Sequence, residues 1–184
     1  MVMHSSNFLT GYGYGTVYAN DRGILKVEIP DLSLPETVHQ KFLPKSEPSA
    51  MTIQTAQMLE RYFDGERIDF NGIPVALDGM TPFRHKILDI TRRLAYGEIC
   101  TYGWIASECG SPRAARAVGG ALASNPVPII IPCHRVVASD GRLTGFSAPG
   151  GENTKLALLK MEGIEFRGGV VAENRMVLHR TLKQ

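Results

Sequence analysis

Residues 125–137 read NPVPIIIPCHRVV, which places a cysteine and a histidine directly after a strongly apolar run. Three consecutive isoleucines belong in the interior of a folded domain. They carry Cys133 inward with them, so the sequence predicts a buried thiol rather than a surface thiol. We therefore expect this segment to contribute both to the hydrophobic core of the second half and to its reactive site.

Cys133 is a candidate nucleophile because a cysteine that reacts needs a neighbour to take its proton. His134 is adjacent to it. Neighbouring residues rarely face each other in regular structure, so a bridging water is the natural link between them. His134 would also need a carboxylate on its other nitrogen, and Glu162 is a candidate. A buried, inert cysteine beside a hydrogen-bonded histidine is the alternative interpretation.

Two short helices are predicted upstream of this segment. Thr101 can cap a helix over residues 102–108, and Gly110 can make a turn after it. Ser111 and the proline that follows it can begin a second helix that runs to about Ala123. Two short helices around a glycine turn are typical of a helix-turn-helix unit.

The second of these helices is rich in arginine and glycine. Arg113 and Arg116 project away from its apolar face. Gly119 and Gly120 each cost the helix roughly 1 kcal/mol relative to alanine. That cost suggests that the backbone approaches something closely, and tight helix packing and contact with a DNA backbone are equally favoured.

The first half of the chain predicts a small α/β unit. Residues 16–19 and 24–29 are β-prone runs joined by the hairpin signal Asn-Asp-Arg-Gly. A proline-rich loop over 30–49 then leads to a helix with apolar residues at helical spacing from Met51 to Phe63. We expect an α/β N-terminal domain of a small antiparallel sheet plus a helix over 1–78. An all-α, helix-turn-helix C-terminal domain should follow over 79–184.

Composition excludes several classes of protein. The 184 residues contain 43% hydrophobic residues and three cysteines, an odd number that argues against a disulfide framework. Their spacing also fails the usual zinc patterns, so we expect no metal and no cofactor. No apolar run reaches membrane length, and the N-terminus lacks a secretory signal, which predicts a soluble, cytoplasmic protein.

Charge is unevenly distributed along the chain. Residues 1–80 contain six Lys/Arg and ten Asp/Glu, whereas residues 81–184 contain 14 and eight. The net charge of +2 says little by itself, but a polyanion would be drawn to the second half. An ordinary scatter of surface charge explains the same numbers.

The second half resembles the O6-alkylguanine-DNA alkyltransferase family. The matching text is RAVGGALASNPVPIIIPCHRVVASDGRLTGFSAPGG over 116–151, followed by KLALLKMEG over 155–163. The resemblance extends over about residues 79–165, and its PCHRV core is highly specific. The N-terminal half agrees only in plan and length, which implies a ribonuclease H-like domain. The implied activity is single-turnover transfer of an alkyl group from guanine O6, and also thymine O4, to the protein.

The resemblance implies a role for each residue of the site. Cys133 would accept the alkyl group, His134 would take its proton through a water, and Glu162 would complete the relay. Asn125 would hold the link between recognition helix and active-site segment. The alkylated base would be contacted by the following residues: Tyr102, Val136, Phe146 and Ser147. Phe146 stands where many members have tyrosine, so a ring stack is kept and a hydroxyl contact is lost.

The implied partner is double-stranded DNA that contains O6-alkylguanine, bound by a monomer. Guanine O6 is inside the base stack, so the base must be flipped out to react. Arg116 would fill the space that the base leaves. Contacts along the minor groove would come from Ser111, Arg113, Ala114, Ala117 and Gly119.

Two other functions are compatible with parts of this pattern. A non-catalytic sensor of alkylated DNA would share the fold, although sensors in this family lack the acceptor that Cys133 provides here. A cysteine hydrolase would use the same three residues, but it needs a base that faces the sulfur directly. Reaction with an alkylated oligonucleotide separates the three functions.

Overall fold

A three-stranded antiparallel sheet forms the first layer of the computed structural model, which describes residues 2–34 and 46–172. The strands are β1, His4–Thr10, β2, Gly13–Asn20, and β3, Gly23–Glu28, in the order β1-β2-β3. The Asn20 side chain accepts hydrogen bonds from the backbone N–H groups of Arg22 and Gly23, which closes the β2–β3 turn. The predicted hairpin is therefore present, and β1 adds a strand that the sequence analysis did not identify.

Helix α1, Ala50–Phe63, packs across β1 and β2. Ser49 caps its N-terminus, because the serine side chain accepts from the backbone of Thr52 while the Thr52 side chain accepts from the Ser49 backbone. The buried face of α1 continues to Tyr62 at its end. This helix carries a buried aromatic side chain toward the second half of the molecule.

The second half begins with α2, Pro82–Arg92, capped by the Thr81 hydroxyl. A two-residue strand, β4, Cys100–Thr101, leads into α3, Tyr102–Glu108, and then α4, Ala115–Ala123, packs against both α2 and α3. The predicted start of α4 at Ser111 is wrong. Ser111 instead accepts a backbone bond from Ala114 in a turn, and the helix begins one turn later.

A single 3₁₀ turn, Cys133–Arg135, follows the apolar run and leads into β5, Val136–Val137, which pairs in parallel with β4. Helix α5, Gly151–Met161, then precedes a small hairpin of β6, Phe166–Arg167, and β7, Val170–Val171. The second half is therefore mainly helical but not all-α, because short strands flank the active-site segment and close the described part of the chain.

The two halves are joined by direct contacts. The backbone N–H of Val27 in β3 donates to the carbonyl of Pro126 at 2.9 Å, and the N–H of Leu32 donates to the Thr154 hydroxyl at 3.1 Å. One hydrophobic cluster contains side chains from both halves. The division at residues 78 and 79 stays a prediction.

All three cysteines are free thiols, so Cys100 and Cys109 do not pair. Within residues 2–34 and 46–172, no helix combines the length and apolar character needed to cross a membrane.

Candidate active site

Cys133 begins the 3₁₀ turn and is 8% exposed. The predicted burial of this thiol is confirmed. Its backbone is held by a bond from its N–H to the Ile131 carbonyl at 2.8 Å. Ile129, four residues earlier, has a φ of 71°, which is strained for a β-branched residue. Dense packing around the buried isoleucine run holds this conformation and turns Cys133 into the site.

Asn125 connects the end of α4 to the thiol. Its amide Nδ2 donates to the Ile131 carbonyl at 2.8 Å and contacts Cys133 Sγ at 3.2 Å. Its Oδ1 accepts from the Val127 backbone at 3.1 Å. One side chain therefore fixes the turn after α4 and donates to the sulfur.

His134 and Glu162 form a buried pair behind Cys133. The His134 Nε2 atom is 2.9 Å from Glu162 Oε1, and both side chains are inaccessible to solvent. A bond to a carboxylate places the proton on Nε2, which leaves Nδ1 as an acceptor. Nδ1 is buried and makes no hydrogen bond to any residue in the described ranges. The histidine is thus oriented and neutral, with one nitrogen able to take a proton.

Four groups hold the Glu162 carboxylate at the end of α5. Oε1 accepts from the Tyr62 hydroxyl at 2.6 Å, from His134 Nε2 at 2.9 Å and from Arg135 Nη2 at 2.8 Å. Oε2 accepts from Arg135 Nε at 2.9 Å and from the Gly97 backbone N–H at 3.1 Å. Arg135 therefore forms a bidentate ion pair with Glu162. Since every acceptor direction is used, the carboxylate cannot swing away from His134.

Burial and neighbouring charges shift the pKa values of Cys133, His134 and Glu162 in different directions. Burial raises the pKa of Cys133, against the opposing effects of the Asn125 bond and the charge of Lys155. Burial lowers the pKa of His134, although Glu162 acts in the other direction. Burial would raise the pKa of Glu162, but His134 and Arg135 hold it well below its usual range. At neutral pH the resting site therefore contains a thiol, a neutral imidazole and a carboxylate.

Lys155 on α5 is a buried cation beside the thiol. Its Nζ donates to the carbonyls of Val136 at 2.6 Å and Thr144 at 2.8 Å, and it is 5.8 Å from the centre of the Tyr102 ring. Burial lowers its pKa to about 8, while the nearby Cys133 acts to raise it. A positive charge here would favour formation of a thiolate at Cys133.

A groove of about 670 Å³ runs from Cys133 across the N-terminal sheet. Asn125, Phe146 and Ser147 line it on the side of the second half. On the other side it is lined by β2, β3 and the segment after them, including Tyr14 and Lys26. Its volume is larger than one base with a methyl group would occupy.

The predicted base contacts fall into two groups. Phe146 and Ser147 line the groove with Cys133, and the Ser147 hydroxyl donates to the Ala123 carbonyl at 2.6 Å. Tyr102 and Val136 do not line that groove. The Tyr102 hydroxyl donates to the Thr144 carbonyl at 2.8 Å, and the Val136 carbonyl already accepts from Lys155.

The predicted DNA contacts lie on and just before α4. Arg113, Arg116 and Ala117 are exposed, and Ser111, Ala114 and Gly119 are half-buried. A side chain at Gly119 would come within 4.0 Å of the Tyr102 ring. Ala114, Ala117 and Gly119 have small side chains or none, so a ligand can approach the backbone of this segment closely. Gly119 lies beside Tyr102, a predicted base contact.

Sequence reasoning missed Lys155 and Tyr62. Lys155 shares a helix face with the buried Leu158 and Leu159, and a lysine within an apolar stripe is a signal that could have identified it. Tyr62 looked like an ordinary core residue, yet a buried tyrosine hydroxyl needs a partner. Among the residues that the structure places, no group of three or more His, Cys, Asp or Glu could hold a metal.

This geometry fits the class of proteins that use a buried cysteine as nucleophile. Residues 82–164 match the family model described as 6-O-methylguanine DNA methyltransferase, DNA binding domain. The methylated-DNA–protein-cysteine methyltransferase of Methanosarcina acetivorans is 37% identical over 84% of this chain and 90% of its own length. The Haemophilus influenzae protein of the same name is 48% identical over 107 residues, and the match spans 58% of each chain.

Solved structures agree with this grouping. A variant of the Mycobacterium tuberculosis O6-methylguanine methyltransferase has a TM-score of 0.70 at 32% identity, over 88% of this chain and 93% of that one. The OGT of the same organism in complex with DNA has a TM-score of 0.69 at 32% identity, over 86% and 92%. The chain belongs to the family of methylated-DNA–protein-cysteine methyltransferases.

Proposed function

We propose that this protein repairs DNA by moving an alkyl group from guanine O6, and from thymine O4, onto Cys133, once per molecule. The observation that carries the proposal is the environment of His134. Its Nε2 is fixed by Glu162, whereas its Nδ1 is a buried acceptor without a protein partner in the described ranges, one residue from the thiol. This arrangement suits a base that removes the proton of Cys133 through a water.

The proton path begins at the Cys133 thiol, whose pKa is raised by burial. A water between Sγ and His134 Nδ1 takes the thiol proton and passes its own to the imidazole. Glu162 stabilises the imidazolium, and Lys155 and the Asn125 amide stabilise the thiolate. The buried site thus forms a thiolate only with its counter-charges in place.

In the chemical step, Sγ attacks the alkyl carbon attached to O6. The S–C bond forms as the C–O6 bond breaks, and the electron pair of that bond stays on guanine, which then takes a proton. The product is a thioether at Cys133, which water does not cleave under mild conditions. No group in the described site removes an alkyl group from sulfur, so each molecule reacts once.

The flipped base occupies the space in front of Cys133. Phe146 stacks on the ring, the backbone N–H of Ser147 approaches O6, and the carbonyls of Cys133 and Val136 accept from the exocyclic amine. Tyr102 contacts the ring from the α3 side. The proposal is supported by the position of Phe146 and Ser147 in the same groove as the thiol.

The DNA lies along α4, which is the second helix of a helix-turn-helix. This helix contacts the minor groove of the DNA. Arg116 enters the base stack, and Ser111, Arg113, Ala114, Ala117 and Gly119 contact the groove and its phosphates. The exposure of Arg113, Arg116 and Ala117 supports this placement. We propose that a monomer does this in the cytoplasm, where its three free thiols stay reduced.

The test uses a duplex oligonucleotide that carries one O6-methylguanine. Intact mass spectrometry should show one added methyl group on the protein and none on Cys133→Ala. Binding without a mass change would indicate a sensor, and repeated turnover on an ester would indicate a hydrolase. Either result would overturn the proposal.

A further inference from the structure

Tyr62 belongs to α1 in the N-terminal half, 72 residues before His134 in the sequence, yet its hydroxyl lies inside the active site. The hydroxyl donates to Glu162 Oε1 at 2.6 Å and is 3.3 Å from His134 Nε2. The whole residue is inaccessible to solvent. The N-terminal half therefore contributes a polar atom to the pair that orients the proposed base.

We infer that Tyr62 is a positioning residue for alkyl transfer, whose hydroxyl shares the Glu162 carboxylate with His134 and so sets how strongly His134 holds the proton taken from Cys133. The inference rests on the function proposed above and deepens it. Its physical basis is competition at one oxygen. Oε1 accepts from Tyr62, His134 and Arg135 together, so each donor reduces the negative charge that the others meet.

Tyr62 and His134 share most of their charged and titratable neighbours. Tyr62 faces Glu162, Arg135, His134 and the ring of Tyr96, and burial followed by Glu162 raises its pKa well above 10, so it remains a donor. His134 faces Glu162, Arg135, Lys155 and Tyr62, and burial lowers its pKa. With Tyr62 removed, Glu162 would attract the imidazolium more strongly and the pKa of His134 would rise.

Packing holds the Tyr62 ring without help from the hydroxyl. The ring makes edge contacts with Phe63, Phe70 and Tyr96 at centroid distances of 5.4, 6.0 and 6.1 Å. Tyr62→Phe should keep these contacts and remove only the donor. The variant therefore separates positioning from core packing.

The experiment measures the rate of methyl transfer from an O6-methylguanine duplex against pH. At pH 8, where His134 is neutral in both proteins, Tyr62→Phe should be faster by on the order of twofold, because a more basic imidazole takes the Cys133 proton more readily. Its acidic limb should move up by about half a pH unit or more, because His134 must be neutral to accept the proton. Tyr18→Phe is the matched control, since it removes a tyrosine-to-carboxylate bond to Glu28 away from His134 and Glu162.

A second readout does not depend on transfer. Nitrogen-15 NMR of the His134 ring reports its pKa directly, and Tyr62→Phe should raise that pKa while Tyr18→Phe leaves it unchanged. If Tyr62→Phe folds poorly, 3,5-difluorotyrosine at position 62 keeps the ring and strengthens the donor, and it should lower the pKa of His134 instead.

The outcomes separate the two proposals. A wild-type protein that takes no methyl group overturns the proposed function, and the His134 pKa still tests Tyr62. A Tyr62→Phe protein that is less heat-stable but keeps the wild-type pH profile and His134 pKa has lost a structural contact only, which overturns the inference.

Discussion

Lys155 donates a hydrogen bond to the main-chain carbonyl of Val136 over 2.6 Å, and both residues are fully buried. The same ammonium group bonds the Thr144 carbonyl at 2.8 Å. It therefore ties α5 to β5 and to the chain before the groove-lining loop. A buried cation is costly unless its donors are satisfied, so this one is expected to have a function beyond packing.

The first prediction concerns Lys155→Met. The variant loses the two bonds to carbonyls and the positive charge that lowers the pKa of Cys133. The lost charge raises the pKa of Cys133, and each unit of that rise lowers the thiolate fraction about tenfold, so transfer at pH 7 should slow by roughly tenfold. Because the pKa of Cys133 is higher without this charge, the increase of the rate with pH should also move to higher pH. Lys160→Met, at an exposed site on the same helix, is the control, and an identical loss there would refute the role of Lys155.

The second prediction concerns Glu162→Gln and stability. Removing this carboxylate leaves Arg135 buried without its partner, which should cost about 3–5 kcal/mol at pH 7. The pKa of Glu162 is depressed in the folded state, so its contribution is complete above pH 4.5, the ordinary value, and is lost as pH falls below that. The variant should therefore have the flatter acid dependence.

Urea unfolding of Glu162→Gln between pH 3 and pH 7 measures both effects. Glu66→Gln serves as the control because that carboxylate pairs with Arg61 at the exposed surface, and its loss should leave the unfolding midpoint almost unchanged. Parallel acid dependence of wild type and Glu162→Gln would contradict the role of the buried pair.

How much of this site was predictable depends on where the partners lie in the sequence. Cys133 and His134 are adjacent in the sequence, and Glu162 is the carboxylate that the sequence analysis offers as a partner for His134, so the buried His134–Glu162 pair agrees with that prediction. Tyr62 could not be matched to Glu162 from sequence, because the contact joins residues 100 positions apart. Long-range pairing depends on how the two halves dock.

Two features of the fold were missed for local reasons. Strand β1 begins His4-Ser5-Ser6-Asn7, which has no apolar alternation, yet both serines are buried with polar partners. The Ser6 hydroxyl donates to the Thr52 hydroxyl of α1 at 2.8 Å, and the Ser5 hydroxyl donates to the Ser46 carbonyl at 3.2 Å. The start of α4 looked like a serine cap followed by proline, but those residues form a turn. In β1, polar side chains have tertiary partners that sequence pattern does not reveal. Before α4, the Ser111 backbone N–H donates to the Ala106 carbonyl at 2.9 Å, which extends the turn after α3 instead of starting a helix.

The third prediction concerns Arg116→Ala and DNA. The arginine is exposed on α4, and we expect it to hold the space that the flipped base leaves. Its loss should slow transfer from a duplex, weaken binding and reduce the salt slope by about 1 if it also neutralises a phosphate. Transfer from free O6-benzylguanine, which needs no flipping, should be unchanged. Arg61→Ala in the N-terminal half is the control, and an equal loss with the free base would exclude a role in flipping.

The fourth prediction concerns the size of the alkyl group. The groove of about 670 Å³ is lined by Cys133, Ala148 and residues of the N-terminal sheet. A benzyl group should therefore be transferred at about the same rate as a methyl group. Ala148→Phe would fill part of this space. It should slow benzyl transfer by more than tenfold while methyl transfer changes little, and the methyl substrate is the internal control. Equal slowing of both substrates would show that the groove does not receive the larger group.

The fifth prediction concerns the protein after reaction. A methyl group on Sγ adds volume at a site that is 8% exposed and weakens the bond from Asn125, which contacts the sulfur at 3.2 Å. Added volume in a packed site costs about 1–3 kcal/mol, which for a chain of this size lowers the melting temperature by roughly 2–12 °C. Calorimetry before and after complete methylation measures the change. Cys133→Ala treated with the same oligonucleotide shows whether bound DNA alone shifts the transition.

An unchanged melting temperature would contradict this prediction. It would mean that the groove accepts the methyl group without strain, and that the Asn125 bond to sulfur contributes little to stability.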